Sequence, residues 1–592
     1  MKKVSNIIAE FLQKNGIKNV FAFTGGSSIH LIHSISSIKG MRCIFNHHEQ
    51  AGAMGADGVS RYNKLSPSCA IATSGPGATN LITGICCSWF DSIPVLYITG
   101  QVTTFRLKKK LKVRQLGFQE TEITSIVNSI TKYAKQIKDP YKILYELEKA
   151  LYFAKSGRPG PVLIDVPDDI QRMLINEKKL IKFSPPKIIK KRVKNTTKVI
   201  NLINKSKRPV MVFGSGISKY INDQKLLNFI NKTKIPFLTT WGAKSMLNNH
   251  KLNFGTFGTH GTRHGNFCIQ NSDLLIVIGS RLSTRETGSP IKFFARKAKI
   301  IIIDIDINEI KKFERLKKKI LLYYNNDSMD FINQFLKDSN KSIFSKKKNW
   351  LLYNAGLKKK FERKYNNSNL FSNNIDPYYF VKKLNDFNSS KNDLFIDTGS
   401  CLAWMMQDFK CLKNQNIYHD LNFTAMGWAL PASIGASAEK KGRRIICITG
   451  DGSLMVNLQE MILINKYCKN LKLFIINNKG YAMVRQTENE WLKNKHHGTS
   501  SKDLNFPDFK LISAANNLNY TSIKKINDLN KIKKILTSLR NEVCEVFVSL
   551  KSQVIPQVKF GHPIEDSHPL LKEKFFKDNM IIKPIERKKV PV

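Results

Sequence analysis

Two apolar runs at a fixed separation constrain this chain more than any other feature. Ile445-Ile446-Cys447-Ile448-Thr449 leads directly into Gly450-Asp451-Gly452-Ser453, and Leu473-Phe474-Ile475-Ile476 leads directly into Asn477-Asn478. Each run has the length and β-branched content of a strand buried on both faces. The stretch Leu458-Gln459-Glu460-Met461-Ile462-Leu463 between them reads as helix. Such a strand–helix–strand unit makes the two strands parallel, so their ends meet at the carboxyl edge of one sheet, where open α/β sheets hold ligands. Asp451 and the Asn478 amide are hard oxygen ligands of the kind Mg²⁺ takes, its other positions going to phosphate oxygens and water. The glycines let backbone amides approach a diphosphate, and a helix N-terminus adds partial positive charge. A Gly-Asp-Gly turn alone is common; followed by the asparagine pair after a second strand, it becomes specific.

The remainder repeats this alternation. A chain of 592 residues exceeds what one core organises, so about three or four domains are expected. Residues 1–178 contain Ala70-Ile71-Ala72-Thr73 and Pro94-Val95-Leu96-Tyr97-Ile98-Thr99, each leading into a glycine-containing turn, and close on the stretch Gly157 to Pro167. A basic linker with Pro185-Pro186 follows. Residues 190–335 carry Pro209–Phe213, Leu274–Ile278 and Ile300–Asp304. A Lys- and Asn-rich stretch, 341–374, reads as a second linker with helical parts. The third segment is 370–555, and a tail, 556–592, is expected to drape over the surface or an active-site mouth. The fold class is therefore α/β, with three open parallel-sheet domains. The first and third look like one architecture used twice.

Composition excludes several classes. The net charge of +51 invites a nucleic-acid reading, but the lysines are scattered and form no basic stripe with interleaved aromatics. No apolar run reaches the ~18 residues of a membrane span. The first twelve residues read as an amphipathic helix without the features of a signal peptide. The ten cysteines include no C-x-x-C pair and read as reduced core residues. A cytoplasmic protein with no nucleic-acid or membrane partner is expected.

A second constellation starts at His47-His48-Glu49-Gln50-Ala51-Gly52, after the short strand Cys43-Ile44-Phe45. On its own, Glu49 is a carboxylate well placed for the dipole of a helix start. Beside the Asp451–Asn478 unit it resembles the glutamate that acetolactate synthases present to thiamine diphosphate (ThDP). The resemblance to the large-subunit family of these enzymes extends over most of the chain. It includes Phe23-Thr24-Gly25-Gly26-Ser27, Ala72 to Leu81, Ile98-Thr99-Gly100-Gln101-Val102 and Phe118-Gln119-Glu120. It implies the three-domain fold of pyruvate oxidases and decarboxylases. In that chemistry a carboxyl hydrogen-bonded to the pyrimidine N1′ promotes the tautomer that removes the reactive proton, and exclusion of water strengthens the hydrogen bond.

The same resemblance implies further roles. Gly26, Phe118 and Gln119 line the substrate side. Ala425-Met426-Gly427 carries Met426 beneath the bent cofactor, and the Thr424 carbonyl accepts from its amino group. Gly452, Ser453, Ser400, Cys401 and Met483 surround the diphosphate, and Gly480 joins Asp451 and Asn478 at the Mg²⁺. The middle segment resembles a domain that holds FAD in a structural role, through Arg158, Gly214, Gly216, Trp241, Gly242, Thr259, His260, Asp304 and Ile305. Arg285 falls where the family greets the carboxylate of a second keto acid.

Departures bear on specificity. Thr487 stands where the family has a tryptophan after Met483-Val484-Arg485-Gln486. Ser400-Cys401 replaces the usual Gln-His. The loop between Gln101 and Phe118 is about six residues longer than usual and carries Arg106, Lys108, Lys109, Lys110, Lys112 and Arg114. The stretch Gly561 to Pro569 is more like the acetolactate-synthase-like proteins of bacterial surface-sugar synthesis. The expected activity is carboligation: a two-carbon unit from pyruvate is passed to a second 2-keto acid, as in branched-chain amino-acid synthesis. Alternatives are transfer to a keto-sugar nucleotide, simple 2-keto acid decarboxylation or oxidation, and a non-enzymatic scaffold, which would have no use for Glu49, Asp451 and Asn478 together. The resemblance also implies a homodimer or homotetramer with shared sites. A regulatory subunit is a further partner left open by the sequence.

Overall fold

The computed structural model describes the chain except for residues 188–190, 221–222, 248, 319, 366–374, 440 and 588–592. Part of the first linker, the end of the second with the start of the third segment at 370, and the last residues of the tail therefore lie outside the described residues.

The body is built on three six-stranded sheets, each wholly parallel. The first holds β1 (Asn19–Ala22), β2 (Arg42–Phe45), β3 (Ser68–Ala72), β4 (Val95–Gln101), β5 (Tyr133–Gln136) and β6 (Val162–Pro167), in the order β2-β1-β3-β4-β6-β5. The second holds β7 (Pro209–Phe213), β8 (Phe237–Thr239), β9 (Asn253–Thr256), β10 (Leu274–Ile278), β11 (Lys299–Ile303) and β12 (Leu322–Tyr324), in the order β9-β8-β7-β10-β11-β12. The third holds β13 (Asn392–Ile396), β14 (Ile417–Tyr418), β15 (Arg444–Gly450), β16 (Leu471–Asn477), β17 (Asn519–Ile523) and β18 (Glu542–Phe547), in the order β14-β13-β15-β16-β18-β17. The first and third sheets thus share one strand order, and the middle sheet has the doubly wound order of dinucleotide-binding folds. The apolar runs β7 and β10 are buried along their whole length, as strands covered on both faces should be.

Six helices matter for the site: α1 (Glu49–Tyr62), α2 (Lys348–Lys360), α3 (Ser400–Asp408), α4 (Ala429–Ala438), α5 (Asp451–Met455) and α6 (Ala482–Trp491). Helix α1 is rich in Gly and Ala, so its backbone can approach α4 closely. A Cβ on Gly58 would lie 2.5 Å from the Ala432 Cβ, and one on Gly435 would lie 2.8 Å from the Gly55 carbonyl oxygen. Around this contact Phe21, Met54 and Tyr97 of the first domain share one core with Trp428, Cys447 and Leu473 of the third. Within it Asp57 accepts from Trp428 Nε1 at 2.9 Å and pairs with Arg61 at 2.7 Å.

The helix expected at 458–463 is instead a 3₁₀ turn, Leu458–Ile462, followed by Leu463–Tyr467. Asn457 precedes the turn in non-helical backbone, and its side-chain amide donates to the Gly427 carbonyl at 2.9 Å. The tail crosses between domains: Val558 N donates to Thr259 O at 2.8 Å, and Gln486 Nε2 of α6 donates to Gln557 Oε1. Among the described residues no helix is long and apolar enough to cross a membrane.

Candidate active site

Strands β15 and β16 pair with Gly450 opposite Ile476, so Asp451 and Asn478 leave adjacent strands at one edge. Asp451 opens α5, is 1% exposed, and accepts from Gly452 N at 2.9 Å, Asn478 N at 3.2 Å and Gly480 N at 3.3 Å. Burial pushes its carboxyl up to about 6 despite these bonds. The Asn478 Oδ1 is buried with no protein partner. Gly480 has no room for a side chain, since its Cβ would meet Thr499 O at 2.2 Å, and a Cβ on Gly452 would meet the Tyr481 ring at 2.2 Å. Ser453 is buried beside them. Across the same edge, α3 brings Ser400, whose hydroxyl is also buried and unpartnered. Cys401 turns the other way: its thiol reaches the carbonyls of Asp397 and Thr398, both at 3.3 Å, and lies in the core.

In the first domain β2 delivers Glu49 to the start of α1, where the His48 ring accepts from Gln50 N at 3.1 Å and caps the helix. Glu49 is 7% exposed and accepts from Asn80 Nδ2 at 2.9 Å. A Cβ on Gly77 would come within 3.1 Å of its other oxygen, so glycine there keeps the carboxylate in place. Gly26 has open space around it. Gln119 is held at φ +63°, a strained conformation of the kind that collects at functional sites, and Phe118 is 85% exposed. The long loop before them is organised from inside by Glu120, which accepts from Lys108 N at 2.7 Å and Leu116 N at 2.9 Å.

Residues 419–427 join the two halves. Thr424 sits at φ +59°, left-handed backbone that a β-branched residue rarely adopts, and Met426 is 39% exposed. Asp420 accepts from Ala425 N at 2.8 Å, and Asp397 accepts from Gly427 N at 3.2 Å and Thr449 Oγ1 at 3.0 Å. Burial pushes Asp397 to about 6 and, with the neighbouring Asp91, Asp420 to about 7. From the first domain, Asp91 accepts from Leu421 N at 2.8 Å and Arg61 donates to His419 O at 2.8 Å. The sequence alone points to no role for Asn80, Asp91, Arg61, Asp397 and Asp420. Arg61 lies inside a helix, Asn80 and Asp91 close helices, and Asp397 and Asp420 follow strands, positions with no chemical signal of their own. The Arg61–His419 and Asp91–Leu421 bonds span 358 and 330 residues of sequence.

The three domains meet at a cavity of about 570 Å³ whose walls include Arg158, Gly216, Gly242, Arg281, Asp304 and Ile305. Arg158 is paired with Asp306 at 3.0 Å and Glu309 at 2.9 Å, while Arg281 Nε is buried without a partner. A second cavity, about 240 Å³, is lined by Trp241, His260, Arg285 and Thr424. There Arg285 lies over the Trp241 ring at 5.0 Å and donates to Leu421 O at 3.3 Å. Burial first, then Arg285, pushes His260 down to about 4. Gly214 lies under the strand ends, where a Cβ would be 2.3 Å from Gly279 O, and Thr259 holds the Arg285 carbonyl at 3.1 Å. Met483 packs against the third domain's core at the start of α6.

Twin sheets flanking a dinucleotide-type sheet, with these strand-end residues, belong to one class of enzyme. The chain matches thiamine pyrophosphate enzymes in all three parts: the N-terminal TPP binding domain over residues 2–126, the central domain over 196–321 and the C-terminal TPP binding domain over 397–547. Similarity over the full length narrows this. The chloroplastic acetolactate synthase of Arabidopsis thaliana is 31% identical over 582 residues, covering 95% of this chain and 84% of that protein. Acetolactate synthase 1 of Nicotiana tabacum is 31% identical over 585 residues, with the same coverage of 95% and 84%. Acetolactate synthase 1 of Zea mays is 30% identical over 582 residues, 95% of this chain and 88% of that one. The chain belongs to the acetolactate synthase family of ThDP-dependent enzymes.

Proposed function

We propose that the protein is a carboligase that decarboxylates pyruvate and passes the two-carbon unit to a second 2-keto acid. The supporting observation is that Arg285 and Thr424 line one cavity. A fixed cation beside the cofactor-side loop suits the carboxylate of an acceptor, which simple decarboxylation does not require.

The residues fit the three groups this activity uses. For Mg²⁺ and a diphosphate, the fit lies in the unpartnered Asn478 Oδ1 and Ser400 Oγ and in the space kept by Gly452 and Gly480. Asp451, Asn478 and the Gly480 backbone would hold the ion, and Ser400, Gly452 and Ser453 the diphosphate. For FAD in a structural role, the fit lies in a cavity within the usual range of ligand sites, roughly 300–1,000 Å³, with Arg281, whose buried Nε has no partner, in its wall. Bound thiamine diphosphate supplies the electron sink for decarboxylation. Glu49, kept in place through Asn80, would exchange a proton with the pyrimidine, and the Thr424 carbonyl would serve as an acceptor. Gly26, Phe118 and Gln119 face the substrate.

The working unit we propose is a homodimer with shared sites. Its support is apolar surface uncovered in one chain, including Phe118 and Met426, which a second copy would bury. Product analysis with pyruvate alone tests the activity: acetolactate is expected, and acetaldehyde or acetate as the main product refutes it.

A second reading, transfer to a keto-sugar nucleotide, is favoured by one observation. Thr487 is exposed on α6, with its hydroxyl turned back onto Met483 O at 3.2 Å, so the position that is bulky in the family projects little here. Competition between pyruvate, 2-ketobutyrate and a 4-keto-sugar nucleotide as acceptors decides between the two.

A further inference from the structure

The amino edge of the middle sheet carries a second concavity, remote from the strand ends that line the large cavity. It has a volume of about 570 Å³ and lies between the segment before β7 and the start of α2. Lys205, Lys207, Arg208, Lys346, Lys347 and Lys348 line it, and no carboxylate does. The large cavity at the domain junction differs, because there Asp91, Asp304 and Glu309 stand among the arginines.

A lysine-rich chain has cations on every face, so the disposition matters more than the number. Some cations elsewhere are neutralised by carboxylates, as Lys219 is by Asp327 and Lys312 by Glu309. In the groove the bonds that are made end on neutral groups: Lys347 Nζ on Asn204 O at 3.0 Å, and Arg208 Nε on Asn271 O at 2.7 Å. The nearest acid, Asp273, is occupied behind the wall by Ser206 Oγ and by the backbone N–H groups of Lys207 and Arg208, both at 2.9 Å. The two cationic segments are tied together by Trp350 Nε1, which donates to Pro209 O at 3.0 Å. The groove is thus held open with like charges facing each other, which is unfavourable unless an anion enters. The start of α2 adds to the field, since no side chain caps it and its first turn has no acid.

We propose that this groove binds a small anion bearing a chain of two or three phosphate groups, at a site separate from the cofactor sites. Several cations from two segments around a concavity match an extended multivalent anion better than a single carboxylate. Tyr353, next along α2, donates to Asn579 O, and Ile581 lines the groove. An anion there would therefore fix α2 against the tail.

The test uses the full chain loaded with thiamine diphosphate, so that the diphosphate site is already filled. Tripolyphosphate is titrated by calorimetry at low and high salt. We expect one ion per chain, with affinity falling as salt rises. Lys207→Gln/Lys346→Gln/Lys348→Gln should weaken binding by about three- to tenfold per lysine. Lys510→Gln/Lys533→Gln/Lys534→Gln, an equal loss of charge elsewhere, should leave it unchanged. Adenosine triphosphate binding more tightly than tripolyphosphate would assign the groove to a nucleotide, and weaker binding to a free oligophosphate; either supports the proposal. Equal weakening in both triple variants, or no stoichiometric binding by the unaltered protein, overturns it. Thermal midpoints without ligand confirm that the variants are folded.

Discussion

The first and third domains share a strand order, yet their strand ends do different things. After the second strand of each order, the first domain presents Glu49 and the third presents the loop with Thr424 and Met426. After the third strand, one presents the glycine-rich turn ending at Asn80 and the other Asp451. Position in the fold is common; a carboxyl held by an amide on one side and a metal-type oxygen set on the other come from individual side chains. The lesson is that topology supplies places and residues supply chemistry. The equivalent helices, α1 and α4, are also the ones that pack on each other, so each domain braces the other's site.

The largest expected effect breaks the equivalence of the two domains. Glu49→Gln should fold and keep its metal binding but lose about 10²–10⁴-fold in kcat, whereas Asp451→Ala should lose the binding of metal and cofactor itself. Exchange of the cofactor's acidic proton separates them, and a Glu49→Gln chain exchanging at the normal rate would end the assignment. Mixed Glu49→Gln and Asp451→Ala chains should regain activity if sites are shared between copies.

Next comes the brace. Gly58→Val places a branched side chain against Ala432, whose Cα is only 2.6 Å from where a Cβ would lie. It should destabilise by about 1–3 kcal/mol, read from denaturant unfolding; an unchanged midpoint would mean that the helices separate easily.

Buried acids sharpen the comparison through pH. Asp165 in the first domain and Asp397 in the third are both pushed by burial to about 6 from 3.8. Because the folded state holds the proton more tightly, stability is fully present below about pH 4. It falls as pH rises to about 6 and is lost beyond that, by roughly 2–3 kcal/mol per group. Asp165→Asn should flatten the pH slope of the thermal midpoint between those values, and an unaltered slope would count against a protonated Asp165.

The smallest effect concerns Thr424. Glycine removes the left-handed strain but loosens the unfolded chain, so Thr424→Gly should gain about 0.5–1 kcal/mol. A loss of stability would mean that the threonine side chain contributes more than the strain removes.

Much of this architecture is legible in the sequence. Strands β7 and β10 fall on the residues their apolar runs marked, because a strand covered on both faces needs an uninterrupted apolar run. Asp451 and Asn478 could be paired because sequence-adjacent parallel strands bring their ends together. The 3₁₀ turn at Leu458–Ile462 could not, since its apolar residues suit either kind of helix and the residue before it, Asn457, is bound to the distant Gly427. Nor could the inward turn of Cys401, which depends on which face of α3 meets the core.

Local pattern fixed the parallel sheets, the glycine turns and the residue types at the strand ends, because these depend on periodicity and on conformations only a few residues tolerate. The pairing of Asp91 with Leu421, of Glu49 with Asn80 and of Asp397 with Gly427 emerged only on folding. A buried carboxylate takes whichever donors the packing of distant segments leaves beside it, and no spacing along the chain records that choice.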